Sequence, residues 1–295
     1  MKKTIRLLAL AFVATSMLLI GCNKKEETAT KPSENGTDTD TPTTLEVSTT
    51  PSNKVAVIEL ITGNGCPHCS LGHLKVYQAI AAHPAGQVIG INIHAGSSAG
   101  AYKTQFGTVI NDTFNNVGYP AAVVNRHTFP GYSGTGGALS YGRISEVTDT
   151  ILAQPACANI AAKATIDQAT RKLTVEVAVY YTSNGTGSTN KLNVAILQDS
   201  VWGYQSGGSE NPDYYDAEND SYCHMLMLRH LITGQWGEDI APVTAGSKIG
   251  KKYTYTIPAQ ISNEDMVLKH LRVVAFVAEN QRDIITACEA PITFK

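Results

Sequence analysis

The residues best suited to chemistry are two cysteines separated by two positions, in the sequence Cys66-Pro-His-Cys69. They follow an apolar run over 55–61 that is typical of a buried strand, and a stretch with helical spacing comes next. Cys66 would then lie at a helix N-terminus, where unpaired N–H groups and the helix dipole favour a thiolate. The spacing predicts thiol–disulfide chemistry, in which Cys66 attacks and Cys69 resolves the mixed disulfide. This chemistry requires that the sulfur of Cys66 be reachable by solvent.

The elements that must position this pair alternate between strand and helix. Strand patterns cover 55–61, 87–93 and 117–124, and helical patterns cover 69–82, 102–115 and 139–152. Strands alternating with helices favour an α/β layer arrangement. We therefore predict an α/β domain over residues 54–155.

The order of these elements around the cysteine pair resembles thioredoxin-like proteins. The resemblance implies a cis-proline opposite the pair, where the loop backbone can bind an extended polypeptide substrate. Pro120 matches by position, and Tyr119 precedes it. The intervening Pro-His dipeptide resembles oxidising enzymes of the DsbA class, in which the thiolate is strongly stabilised, and His68 would add to that effect. Gly65 departs from thioredoxins, which usually carry an aromatic residue at this position.

Two other roles for the pair remain open on the sequence. A static disulfide could fix the start of the helix. Metal binding by Cys66 and Cys69 has less support, because no second Cys-x-x-Cys or paired-histidine motif supplies further ligands. We predict no metal and no cofactor. His73 and His94 could lie near the pair, although isolated histidines of this kind are more often structural.

Beyond residue 155 the pattern becomes strand-dominated. Six or seven strand patterns follow at the spacing of a sandwich, which predicts an immunoglobulin-like β-sandwich over 156–295. An insertion at about 202–244 interrupts it. Within the insertion, residues 222–231 suggest a short amphipathic helix whose exposed side could form a binding face with His224, Arg229 and His230. Four acidic residues lack EF-hand spacing and are expected to be solvated loop residues: Asp213, Asp216, Glu218 and Asp220.

The N-terminus has the pattern of an export signal. Basic residues precede an apolar run over 7–20 that is too short for an ordinary membrane-spanning helix. The run ends in Leu19-Ile-Gly-Cys22, which resembles a bacterial lipobox. We therefore predict a signal peptide over 1–22 with lipidation at Cys22. The polar segment 23–53 has no aromatic residue and is expected to be a disordered tether.

Charge limits the expected partners. The formal net charge is −2 and no basic run is present, so nucleic acid is not an expected partner.

The cysteine count leaves the disulfide pairing open. An exported chain can keep disulfides. With Cys22 lipidated and Cys66 paired to Cys69, three cysteines remain whose pairing the sequence does not decide: Cys157, Cys223 and Cys288.

Several segments in order resemble the outer-membrane protein 28 family, from about residue 54 to the C-terminus: Glu59-Leu-Ile-Thr-Gly63, Ile93-His-Ala-Gly96, Gly118-Tyr-Pro-Ala-Ala-Val-Val-Asn-Arg126, and Leu197-Gln-Asp199 through Tyr204-Gln205 to His224 and Arg229. The resemblance implies a thioredoxin-like domain followed by a sandwich, anchored in the outer membrane on its surface or periplasmic face.

Two functions follow as hypotheses. One is a thiol–disulfide oxidoreductase acting on exported proteins. The other is a non-catalytic surface binding protein or adhesin, in which Cys66–Cys69 is a structural disulfide.

Overall fold

Two strands buried on both faces form the centre of the main sheet in the computed structural model, which describes residues 44–115 and 117–295. Strands β1 (Ala56–Thr62) and β2 (Val88–His94) pair in parallel, and all their residues are buried. Parallel strands of this kind need cover on both faces. The other elements of this region are α1 (Cys69–Ala81), α2 (Gln105–Phe114), β3 (Ala121–Val124), β4 (Leu139–Ser140) and α3 (Ile144–Leu152).

Helices supply that cover. Because side chains alternate along a strand, Ile58 and Leu60 point to one face, where they pack with α1 and α3. Val57 and Ile61 point to the other face and pack with α2. Strand β3 pairs antiparallel with β1. The predicted alternation of strands and helices is present in this region.

The regular elements of the remainder of the described chain are strands, apart from three short 3-10 helices. In chain order the strands are β5 (Ala158–Asp167), β6 (Lys172–Tyr181), β7 (Asn190–Gln198), β8 (Val201–Gly203), β9 (Tyr215–Asp216), β10 (Ser221–His224), β11 (Met227–Leu231), β12 (Glu238–Ile240), β13 (Lys248–Thr256), β14 (Gln260–Ile261), β15 (Glu264–Asp265), β16 (Leu271–Glu279), β17 (Arg282–Ala290) and β18 (Ile292–Phe294). The protein as described is therefore mostly β, with three α-helices and several sheets.

A second sheet packs face to face on part of the main one. Its strand order is β13-β6-β5-β18. Alternate residues of β6, including Val175, Val177 and Tyr181, share a buried cluster with Val194 of β7 and Val273 of β16. The alternating pattern at 173–181 forms a strand, as predicted, and its buried face packs against the main sheet.

The main sheet runs without a break through both predicted domains. Its principal order is β17-β16-β7-β11-β2-β1-β3-β4. Strand β11 makes the junction, since it pairs antiparallel with β7 and in parallel with β2, where Met227 lies opposite Asn92. The described residues belong to one compact unit. That 54–155 and 156–295 fold as separate domains stays a prediction.

The predicted helix at 222–231 is wrong. This stretch forms β10 and β11, which are separated by Leu226 at a φ of 56°. A short apolar run fits helix and strand patterns equally well, and here the strand joins two halves of a sheet. The proposed binding face is wrong for the same reason, because His224 and Arg229 are buried in this sheet region.

The predicted signal peptide, Cys22 and most of the tether lie outside the described residues. The tether prediction is wrong for residues 48–53. The side-chain amide of Asn159 donates to the carbonyl oxygens of Ser48 and Thr50, each at 2.7 Å, and Ser52 donates to Asn159. These bonds tie the segment to β5. Within the described part of the chain, none of the helices has the length and apolar character needed to cross a membrane.

Candidate functional site

The Cys66–Cys69 pair lies at the N-terminus of α1, as the sequence predicts. The two cysteines form a disulfide, and their Cα atoms are 5.4 Å apart. Cys69 is the first residue of the helix, and His68 occupies the N-cap position without a side-chain capping bond. His68 is exposed. The positive end of the helix dipole therefore lies at the disulfide, and the Cys69 N–H donates to the Cys66 carbonyl oxygen at 3.2 Å.

The predicted exposure of Cys66 is wrong. The relative exposure of Cys66 is 6%, and that of Cys69 is 0%. A segment far away in sequence, residues 204–211, follows β8 and is bonded to the loop that carries the cysteines. We call residues 204–211 the strap.

Direct hydrogen bonds hold the strap on this loop. The Ser206 backbone N–H donates to the Asn64 carbonyl oxygen at 2.7 Å. The Gln205 side-chain amide donates to the carbonyl oxygens of Cys66 at 3.0 Å and Gly63 at 3.3 Å. In return, the Ser70 hydroxyl donates to a strap carbonyl, that of Gly207, at 2.6 Å. The strap is thus bonded to residues on both sides of the disulfide.

Pro120 lies beside the same helix. The Tyr119–Pro120 peptide bond is cis, and Pro120 is buried. A Cβ atom on Gly72 would lie 2.8 Å from the Cβ atom of Pro120, so only glycine permits this approach. Gly72 is three residues after Cys69, on the same side of the first turns of α1. The structure therefore brings Pro120 next to the cysteine helix. The Tyr119 hydroxyl instead donates to the side-chain oxygen of Asn111 in α2 at 2.6 Å.

A buried group of histidines lies behind the helix. His73 on α1 hydrogen bonds through Nε2 to the Thr62 hydroxyl at 2.9 Å and through Nδ1 to the Tyr222 hydroxyl at 3.2 Å. The ring of His73 lies 6.2 Å from that of His94 and 6.1 Å from that of His224, centroid to centroid. Both histidines that the sequence places near the cysteines are therefore in this region.

Burial sets the charge of these histidines. It lowers the pKa of His73 to about 3, with a further contribution from neighbouring His224, and it lowers the pKa of His224 to about 4. Burial also holds the pKa of His94 well below its usual value. All three rings are therefore neutral at pH 7. Among the described residues, no group of three or more histidine, cysteine or carboxylate side chains is arranged to hold a metal ion.

A buried ion pair supports the strand that leads to the cysteines. Glu59 of β1 accepts two bonds from the guanidinium of Arg126, at 2.7 and 2.8 Å. The exposed fractions of the two side chains are 2% and 1%. The guanidinium also lies within 5.1–5.7 Å of three aromatic ring centroids: Phe114, Trp236 and Phe276. This pair joins β1 to the turn after β3.

The three remaining described cysteines are free. Burial raises the pKa of Cys157 and Cys223, and it raises the pKa of Cys288 to about 12. Each thiol is therefore protonated at neutral pH and poorly nucleophilic. Among the described cysteines, Cys66 and Cys69 are the two joined by a disulfide.

Sequence reasoning did not find the strap residues Gln205, Ser206 and Gly207, or Ser70 on the helix. A glycine- and serine-rich stretch marks a loop but does not indicate what it covers. Tyr204-Gln205 was part of the family resemblance, which gave it no role. The acidic residues from Asp213 to Asp220 follow the strap in sequence and are half-buried or exposed, as expected.

A protein-family model described as outer membrane protein Omp28 matches residues 108–292, more than half of the chain. The match begins after the cysteine pair and so does not bear on it. Among curated proteins, none matches this chain.

Matching solved structures include two from Porphyromonas gingivalis. HBP35 of Porphyromonas gingivalis has a TM-score of 0.64 and 18% identity, over 82% of this chain and 78% of that one. A domain of the outer membrane lipoprotein Omp28 from Porphyromonas gingivalis has a TM-score of 0.32 and 20% identity, over 48% of this chain and 91% of that one. At this level of identity the likeness to HBP35 concerns the fold.

Proposed function

Because the chain belongs to the Omp28 family and is therefore an outer-membrane protein, we propose that it carries out thiol–disulfide exchange on exported proteins through Cys66 and Cys69. The observation that carries the proposal is the disulfide at the start of α1 with cis-Pro120 packed one turn further along the helix. The proposed setting is a thioredoxin-like region over 54–155, followed by an immunoglobulin-like sandwich, with a lipid anchor at Cys22.

The exchange begins from the disulfide. A thiolate of the partner attacks Sγ of Cys66, a new sulfur–sulfur bond forms, and the Cys66–Cys69 bond breaks. The Cys69 sulfur leaves as a thiolate and takes up a proton. A second thiolate of the partner then attacks the partner sulfur that is bonded to Cys66. The partner forms its own disulfide, and Cys66 leaves as a thiolate and takes up a proton. The partner dithiol loses two electrons and becomes a disulfide, and the Cys66–Cys69 pair gains them.

Nearby residues have separate roles in this proposal. The N-terminus of α1 stabilises the thiolate that forms on either cysteine. His68, exposed at the N-cap, adds a donor beside Cys66. The backbone at Tyr119 and Pro120 offers an edge on which an extended polypeptide partner binds. No cofactor is needed, because the partner supplies the electrons.

A second function is favoured by one observation, the burial of Cys66. In this alternative the disulfide fixes the start of α1 and takes no part in exchange. The protein is then a non-catalytic surface binding protein or adhesin. Fold alone does not separate the two functions.

The reduction potential of the pair separates them. A potential near or above about −200 mV supports exchange, whereas one below about −300 mV marks a structural bridge. In cells, Cys69→Ser should trap mixed disulfides with exported proteins through Cys66. The matched control, Cys66→Ser with Cys69→Ser, should trap none. A structural potential together with no trapped partner would overturn the exchange function.

A further inference from the structure

We infer that the strap, residues 204–211, is a gate that must leave the Cys66–Cys69 loop before a polypeptide partner reaches the disulfide; this inference rests on the proposed exchange function. The strap is bonded to the backbone of Cys66, the residue whose sulfur a partner must attack, and Cys66 is only 6% exposed. It comes from the opposite half of the sequence, so its movement need not disturb α1 or β1. The closed structure is then a resting state of the site.

The contacts of the strap suit a segment that opens. Over residues 205–207 the contacts that the structure records with this loop are hydrogen bonds from Gln205 and Ser206 and to Gly207, whereas Gly208 packs against the rings of Tyr215 and Tyr222. The one large ring in the strap near this loop, Tyr204, is 57% exposed. Opening therefore exchanges protein hydrogen bonds for bonds to water without exposing much apolar surface.

The C-terminal end of the strap is fixed, in contrast to its middle. Asn211 is fully buried, and its side-chain amide donates to the Tyr222 hydroxyl at 2.8 Å. Tyr222 in turn hydrogen bonds to His73 of α1. Neutral His73 is bonded through its other ring nitrogen to Thr62 of β1. The bonds from Asn211 through Tyr222 to His73 therefore hold the C-terminal end of the strap to α1 and β1. Residues 205–207 are thus the part that lifts, and Asn211 is the anchor.

The middle of the strap occupies backbone positions that an incoming polypeptide could use. The Asn64 carbonyl oxygen accepts from the Ser206 N–H, and the Cys66 carbonyl oxygen accepts from the Gln205 amide. Once the strap lifts, both acceptors face outward next to the disulfide. An extended polypeptide has N–H groups to fill them, so a polypeptide partner competes directly with the strap.

Gly207 provides a way to open the gate by substitution. Its φ is 67°, and a Cβ atom there would lie 2.1 Å from the Pro67 carbonyl oxygen. Gly207→Ala must therefore push the strap away from the loop. Gly246 has a φ of 84° and open space where its Cβ would be. Gly246→Ala carries the same backbone strain without the clash, which makes it the matched control.

The test measures how fast dithiothreitol reduces the Cys66–Cys69 disulfide in the folded chain, with alkylation of Cys66 followed by peptide mass spectrometry. We expect Gly207→Ala to be reduced at least tenfold faster than the unsubstituted protein, and Gly246→Ala to match the unsubstituted protein. Equal rates in all three proteins would overturn the gate. Should Gly207→Ala fail to fold, Gln205→Ala and Ser70→Ala each remove strap bonds and should accelerate reduction severalfold; no acceleration in either would equally overturn it.

The same variants distinguish failure of the proposed gate from failure of the proposed exchange function. If Gly207→Ala is reduced faster and also exchanges faster with a reduced, unfolded polypeptide, both proposals are supported. If dithiothreitol reduction accelerates but no variant forms a mixed disulfide with the polypeptide, the gate stands and the exchange function is overturned. The reduction potential serves as a further check, since a gate should change rates far more than the potential.

Discussion

Pro120 and Gly72 are in direct contact, and this contact places the cis-proline loop against the helix that carries the disulfide. A Cβ atom on Gly72 would lie 2.8 and 2.9 Å from two carbons of the Pro120 ring. The space for any side chain at position 72 is therefore taken by the proline. The contact makes the spacing between the proline loop and Cys69 sensitive to a single methyl group.

Gly72→Ala should destabilise the protein by about 1–3 kcal/mol, because overpacking a tight contact forces backbone shifts. The measurement is urea denaturation followed by circular dichroism. Gly142→Ala is the control, since its nearest atom would be 3.9 Å away. Equal stability of the two variants would show that Pro120 is not held by this contact.

Removing one partner of the buried ion pair between Glu59 and Arg126 should lower the free energy of unfolding. Glu59→Leu leaves the Arg126 guanidinium charged and without its carboxylate, and we expect a loss of about 3–5 kcal/mol. The double variant Glu59→Leu with Arg126→Met should recover most of that loss, because no unpaired charge remains. Thermal and urea denaturation of the single and double variants measure the coupling.

The exposed pair between Arg143 and Glu146 supplies the comparison, with side chains 56% and 49% exposed. Glu146→Ala should change stability by less than about 1 kcal/mol. A loss in Glu59→Leu no greater than that in Glu146→Ala would contradict the importance given to the buried pair.

Stability should decline as the pH falls below about 6.5, the usual pKa of histidine in an unfolded chain. The pKa of His73 is lowered to about 3 and that of His224 to about 4 in the folded protein. The unfolded chain therefore binds protons first, so the stabilisation is complete above pH 6.5 and is lost progressively down to about pH 4 for His224 and about pH 3 for His73. Each histidine contributes up to about 1.4 kcal/mol per pH unit in that range.

Melting temperatures between pH 7 and pH 5 test this, in a range above the usual pKa of carboxylates. His224→Phe should flatten the dependence. An equal slope in His224→Phe and the unsubstituted protein would mean that His224 is not the group that titrates.

Reducing the disulfide should cost only a modest amount of stability, because it closes a loop of four residues. Chain entropy gives about 2 kcal/mol for so short a loop. Urea denaturation with and without dithiothreitol measures this directly, since the other described cysteines are free. Cys66→Ser with Cys69→Ser should match the reduced protein. A loss above about 4 kcal/mol would favour the structural disulfide over exchange.

Local pattern was sufficient for much of the first region and for the sandwich strands. The helix starting at Cys69, the proline-led strand at β3 and the alternation along β6 all follow from the spacing of apolar residues over a few turns or pleats. The local pattern gave the wrong element at 222–231, where the same apolar residues fit both a helix and a strand. This stretch includes strand β11, which pairs with β2 on one side and β7 on the other, and those two strands come together only in the complete sheet.

The sequence by itself thus determined that two cysteines three positions apart lie at the start of a helix, where they can form a disulfide. The tertiary structure alone decided whether that disulfide is accessible. Gln205 and Cys66 are separated by 139 positions, and no local spacing encodes a hydrogen bond over that distance. Burial depends on which surfaces meet when the whole chain is folded, and the strap meets the cysteine loop only because the long sheet brings the two halves of the chain together.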